Sequence, residues 1–69
     1  MNNPKLIRLT NTNANQYIGN YVLYKTRNKS KINKILGVSE NRNLIYVNNA
    51  DLNNNLNINR KLYAIVNFN

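Results

Sequence analysis

Apolar positions along this chain fall into short runs set between polar, asparagine-rich stretches, a rhythm that predicts strands. Four runs are well defined. Tyr21-Val22-Leu23-Tyr24-Lys25-Thr26 is rich in aromatic and β-branched residues and follows Gly19. Ile32-Asn33-Lys34-Ile35-Leu36-Gly37-Val38 puts Ile32, Leu36 and Val38 on one parity and Ile35 on the other, with Lys34 interrupting the first face. That mismatch predicts a bulge or strong bend, with Gly37 to absorb it. Leu44-Ile45-Tyr46-Val47 and Lys61-Leu62-Tyr63-Ala64-Ile65-Val66 complete the set. A weaker strand-like stretch, Leu6-Ile7-Arg8-Leu9-Thr10, follows a loose tail containing Pro4. Helix competes poorly. Asparagine is a weak helix former, and no segment holds an i, i+3, i+4, i+7 stripe across three turns.

The links sharpen the picture. Glu40-Asn41-Arg42-Asn43 is short and polar, so the second and third runs form a hairpin, with Asn suited to a left-handed turn position. Arg27-Asn28-Lys29-Ser30-Lys31 reads as a basic loop between the first and second runs. Between Asp51 and Asn59 only Leu52, Leu56 and Ile58 are apolar. Leu52 and Leu56 are four apart, which predicts one short helical turn near residues 51–57, capped by Asp51.

The fold class expected is all-β. About five short strands in some 60 residues are too few for a sandwich. A bent sheet closed into a small barrel buries both faces with the least chain and removes exposed edges. Residues 1–16 read as an N-terminal arm or extra strand, 17–66 as the barrel and 67–69 as a tail. The layout of Gly19-Asn20-Tyr21-Val22, Lys31-Ile32-Asn33-Lys34-Ile35-Leu36, Asn43-Leu44-Ile45-Tyr46-Val47 and Leu62-Tyr63-Ala64-Ile65-Val66 resembles the small SH3-like barrels, including Tudor and KOW-type modules. The resemblance is one of strand layout over residues 17–66, and the glycines of a KOW segment are missing. It implies a non-catalytic module that binds RNA, DNA or peptides, often inside ribosomes, transcription machinery or virions.

Composition narrows the function. With 69 residues the chain forms one domain at most and buries only roughly 60% of its unfolded surface. It has no cysteine and no histidine, so disulfides are excluded and a structural zinc site has no thiolate or imidazole to use. A partner surface is then the staple expected for so small a core. Ten Lys and Arg face only Glu40 and Asp51, a formal charge of +8 that favours a polyanionic partner. Nineteen residues are asparagine. They are scattered between apolar anchors, which points to an AT-rich genome, such as that of a large DNA virus, a phage or an AT-biased microbe, before a prion-like tract. No apolar targeting segment is visible at the N-terminus, and no apolar run is long enough to span a bilayer. The expected location is intracellular or in a virion. Asn28-Lys29-Ser30 matches a glycosylation acceptor by chance in a chain this rich in asparagine.

Catalysis finds little to work with. General acid–base chemistry wants histidine or tuned carboxylates, and the two carboxylates here sit in predicted turns. Ser30 and Ser39 have no histidine to activate them. Gly19 and Gly37 are the only glycines, so there is no phosphate loop. No enzyme activity, cofactor, metal or small-molecule substrate is expected. Recognition remains. Lys25, Arg27, Lys29, Lys31 and Lys34 gather half of the cations within ten residues, beside Tyr21 and Tyr24. Cations on phosphates and a ring such as Tyr24 on bases suit a nucleic acid. Most of the five tyrosines are nevertheless expected to be structural. The alternative is a small structural subunit of a large assembly, such as a viral particle, held mainly by neighbouring protein subunits. A peptide-binding adaptor has less support, because the surface lacks acidic residues to meet basic ligands.

Overall fold

The computed structural model describes residues 4–48 and 55–67. The described residues form six strands: β1 (Pro4–Arg8), β2 (Tyr21–Thr26), β3 (Lys29–Ser39), β4 (Leu44–Val47), β5 (Asn55–Asn57) and β6 (Tyr63–Asn67). They lie in one antiparallel sheet in the order β1-β6-β2-β3-β4-β5. The helical structure among them is a single 3-10 turn, Ala14–Tyr17. The chain is therefore a small all-β domain, as its apolar rhythm predicts.

The sheet is not closed, which corrects the expected barrel. β1 and β5 are its two edges. β1 occupies the side of β6 that a closing strand would need, pairing from Pro4 opposite Asn67 to Arg8 opposite Tyr63. The supposed loose tail thus begins the first strand, with proline as its first residue, where a missing N–H is tolerated. The second correction concerns residues 51–57. Asn55–Asn57 is strand β5 on the edge of β4, with Leu56 opposite Ile45, and not a helical turn. Alternation buries Leu56 between two exposed asparagines, and the poor helix propensity of asparagine works against the alternative. Asp51 and Leu52 lie outside the described residues.

The expected bend in β3 is present. Ile35 is opposite Val47 while Gly37 is opposite Tyr46, so the register shifts by one residue between them. This bulge divides the sheet into two ladders that share β3. One contains β1, β6, β2 and the first half of β3, and the other contains the second half of β3 with β4 and β5. Both contribute to one core. Val22, Tyr24 and Ala64 come from the first ladder, and Ile45, Val47 and Leu56 from the second. Ile35 sits at the junction and is fully buried. Leu9, Ala14, Ile58 and Leu62 plug the core from the connecting segments. Leu9 is tied there by its N–H, which donates to the Leu62 carbonyl at 2.9 Å.

The turns follow from local chemistry. Thr26 pairs with Lys29, which leaves the two-residue turn Arg27-Asn28. Both residues have positive φ, 51° and 66°, as a type I′ turn requires. The basic loop expected over Arg27–Lys31 is therefore shorter, and Lys29, Ser30 and Lys31 already belong to β3. Asn43 closes the β3–β4 hairpin at φ 55°, a conformation that asparagine tolerates.

The asparagines have structural duties inside the chain. Asn13 Nδ2 donates to the Arg8 carbonyl at 3.0 Å, and Asn20 Nδ2 to the Ile65 carbonyl at 3.3 Å. Asn33 Nδ2 donates to the Asn48 carbonyl at 2.8 Å. Each joins a strand to a neighbouring segment through a backbone oxygen.

Candidate nucleic-acid interface

Cross-strand partners share a face of the sheet, so the register fixes where each cation stands. On the face away from the core, β2 presents Tyr21, Leu23 and Lys25, and β3 presents Lys34, Ile32 and Ser30 opposite them. Lys29 and Lys31 lie on the other face, opposite Thr26 and Tyr24. Arg27 is at the tip of the turn. The five cations expected to act together are thus divided by the sheet: Lys25 and Lys34 on the outer face, Lys29 and Lys31 on the core side beyond the core itself.

Tyr24 is not an open ring. It is only 4% exposed, and its hydroxyl donates to Asn33 Oδ1 at 2.6 Å. Its role is to carry the core out to the hairpin. The exposed tyrosine is Tyr21, at 52%, while Tyr17, Tyr46 and Tyr63 are half-buried.

The structure adds two cations that sequence proximity does not show. The turn after β5 carries Arg60 and Lys61 to the β2–β3 hairpin. Arg60 Nη2 donates to the Lys25 carbonyl at 2.7 Å, and its guanidinium lies 5.7 Å from the centre of the Tyr24 ring. A cleft of about 470 Å³ opens between the turn and the hairpin, lined by Leu23, Tyr24, Lys25, Ser30, Arg60, Lys61 and Tyr63. Lys25, Arg27, Lys29, Lys31, Arg60 and Lys61 therefore stand at one end of the molecule. Glu40, the one carboxylate side chain among the described residues, lies just past the opposite end of β3, where it accepts a hydrogen bond from Asn15 Nδ2 at 2.8 Å. The only sequence signal for this gathering is the Arg60-Lys61 pair itself, which is 35 residues from its Lys25 partner.

A second feature faces outward. Along the rows of the ladder, Leu6, Ile65, Tyr21 and Lys34 stand side by side, and Arg8, Tyr63, Leu23 and Ile32 form the next row. Arg8 lies 5.9 Å from the centre of the Tyr63 ring. Leu6, Tyr21 and Ile32 are among the exposed large apolar side chains, with Ile18 and Leu36.

Among the described residues no group of three or more acidic, histidine or cysteine side chains stands together as a metal site. No helix among them is long and apolar enough to cross a membrane. The chain matches no protein-family model, no curated protein and no solved structure.

Proposed function

We propose that this chain is a non-catalytic module that binds the backbone of a nucleic acid within a larger complex. The observation that carries the reading is the cationic end. The Arg60–Lys61 turn folds against the β2–β3 hairpin, so that six cations stand at one end of the molecule and three of them, Lys25, Arg60 and Lys61, line one cleft, with Glu40 kept at the far end of β3. Six cations at one end draw a polyanion to that end of the molecule. Arginine and lysine at a cleft mouth with Ser30 supply the donors that phosphate oxygens need. The strand layout supports the same reading. β2, β3, β4 and β6 keep the strand layout along the chain that resembles SH3-like barrels, in a sheet that stays open.

The test is a salt titration with a labelled oligonucleotide. If most of the six cations meet phosphates, log K falls against log salt with a slope of about −4 to −5. Binding that ignores salt, or no binding at low salt, rejects the proposal.

The exposed Ile18 and Leu36 and the two open edges β1 and β5 favour a second reading, a structural subunit clamped between protein neighbours. It predicts that the isolated chain melts at low temperature with poor cooperativity, and a sharp, high midpoint in a calorimetric scan counts against it.

A further inference from the structure

Resting on the nucleic-acid reading above, we propose that the outer face of β6, β2 and β3 is a stacking platform for single-stranded nucleic acid, with Tyr21 as its open ring and Lys34 and Lys25 as its phosphate contacts.

The core lies on the other side of the ladder, and Tyr21 at 52% exposure and Ile32 at 56% are not part of it. Tyr21 and Ile32 occupy adjacent rows of a sheet surface in which Leu23 is the common neighbour. A tyrosine of this kind offers a flat π-face to any base. Leu23 and Ile32 extend the same plane with aliphatic surface that sugars and base edges can cover.

The charges on the face choose the occupant. Lys34 is directly across from Tyr21, and Arg8 is directly across from Tyr63. Lys25 is two residues beyond Leu23 on the same side. The cross-strand register places no carboxylate on this surface. A second copy of the chain laid face to face would set Arg8, Lys25 and Lys34 against their own kind, which is unfavourable. A ligand that alternates anionic groups with flat apolar ones matches the pattern.

Continuity with the cleft points the same way. Leu23 and Tyr63 line the cleft and also belong to the outer rows. Leu23 and Tyr21 are two residues apart on β2, about 7 Å along the strand. Lys25 lies two residues beyond Leu23, so Tyr21 is about 13 Å from it along β2, and a phosphate held between Lys25 and Arg60 leaves a base further along the nucleic acid for Tyr21 without any change in the fold. In a duplex the base faces are stacked away, so the platform favours single strands.

Fluorescence anisotropy with an oligothymidylate of about 12 nucleotides, and with a duplex of the same length, tests this. The single strand is expected to bind at least about tenfold tighter than the duplex. Tyr21→Ala is expected to weaken the single strand about five- to hundredfold, with the duplex affinity and salt slope unchanged, while Tyr21→Phe retains binding. Circular dichroism of each variant checks folding. NMR shift mapping on the unaltered chain gives the same answer without any substitution: oligothymidylate should move the Tyr21 and Ile32 amides, which lie outside the cleft.

Three results overturn the platform. If single strand and duplex bind alike, Tyr21→Ala changes nothing and the shifts stay at the cleft, the cationic end binds backbone alone and the platform falls. If neither ligand binds at low salt, the underlying reading fails and the platform with it. If Tyr21→Ala leaves oligonucleotide affinity intact but dissolves an oligomer seen in sedimentation, a protein copy covers the face.

Discussion

Ile32 and Ile35 are three residues apart on one strand, and the fold sends them to opposite fates. Ile35 is 0% exposed at the junction of the two ladders, and Ile32 is 56% exposed on the outer face. Truncating both to alanine removes the same atoms from two environments. At Ile35 the loss is that of a buried isoleucine plus the cavity left behind, about 2–5 kcal/mol. At Ile32 there is little transfer term and no cavity, so the cost stays under about 1 kcal/mol. A chain of 69 residues has a total stability of roughly 3–10 kcal/mol. Ile35→Ala therefore takes a large share of it and leaves the weakest versions unfolded. The milder Ile35→Val costs about 0.5–1.5 kcal/mol, which lowers the melting midpoint by roughly 2–12 °C. Urea denaturation followed by circular dichroism measures each change, and an unaltered slope with denaturant shows that the unfolded state is the same. Register in a sheet is all-or-none, because a slip of one residue exchanges the two faces. Equal losses at Ile32 and Ile35, or a greater loss at Ile32, refute the assignment of the core face and everything built on it.

Two further outcomes follow from single contacts. Gly19 has φ 97° with open space around the site of a Cβ, so Gly19→Ala meets no clash and its cost is purely conformational, about 1–2 kcal/mol by thermal melting. Arg60→Ala removes the bond to the Lys25 carbonyl and one cation of the cleft. It should shift the midpoint by only a few degrees, yet reduce the salt slope of oligonucleotide binding by about 1, and an unchanged slope would remove Arg60 from the site.

The parts of this fold that were legible in the sequence are those set by local chemistry. Tyr21–Thr26 and Leu44–Val47 match the two apolar runs residue for residue. The bend in β3 announced itself through the conflicting parities of Ile32, Ile35, Leu36 and Val38. Sheet edges were not legible. Whether β1 adds to β6, or whether β5 closes the barrel, depends on long-range pairing that no local pattern encodes. Asn55–Asn57 illustrates the difficulty. One leucine between asparagines supports either a strand edge or part of a helical turn, and only the open side of β4 decides for the strand.

The site shows the same division more sharply. Tyr21 and Tyr24 are three residues apart on one strand, so one ring must face the core and the other must face out. Hydrophobicity does not choose between them, because Val22 and Tyr24 on one parity are matched by Tyr21 and Leu23 on the other. The partner strand is equally balanced, with Asn33 and Ile35 against Ile32 and Lys34. The choice comes from outside the pair. Ile35 meets Val47 at the bulge, Ala64 of β6 lies opposite Val22, and together they commit the even positions of β2 to the core. Tyr24 is then the tyrosine that holds the hairpin, and Tyr21 is the one left in solvent beside Lys34. A strand that is apolar on both faces belongs between two layers, and here only one layer comes from the chain itself. The second face is apolar and bordered by Arg8, Lys25 and Lys34, and on the proposal made above an anionic ligand completes it.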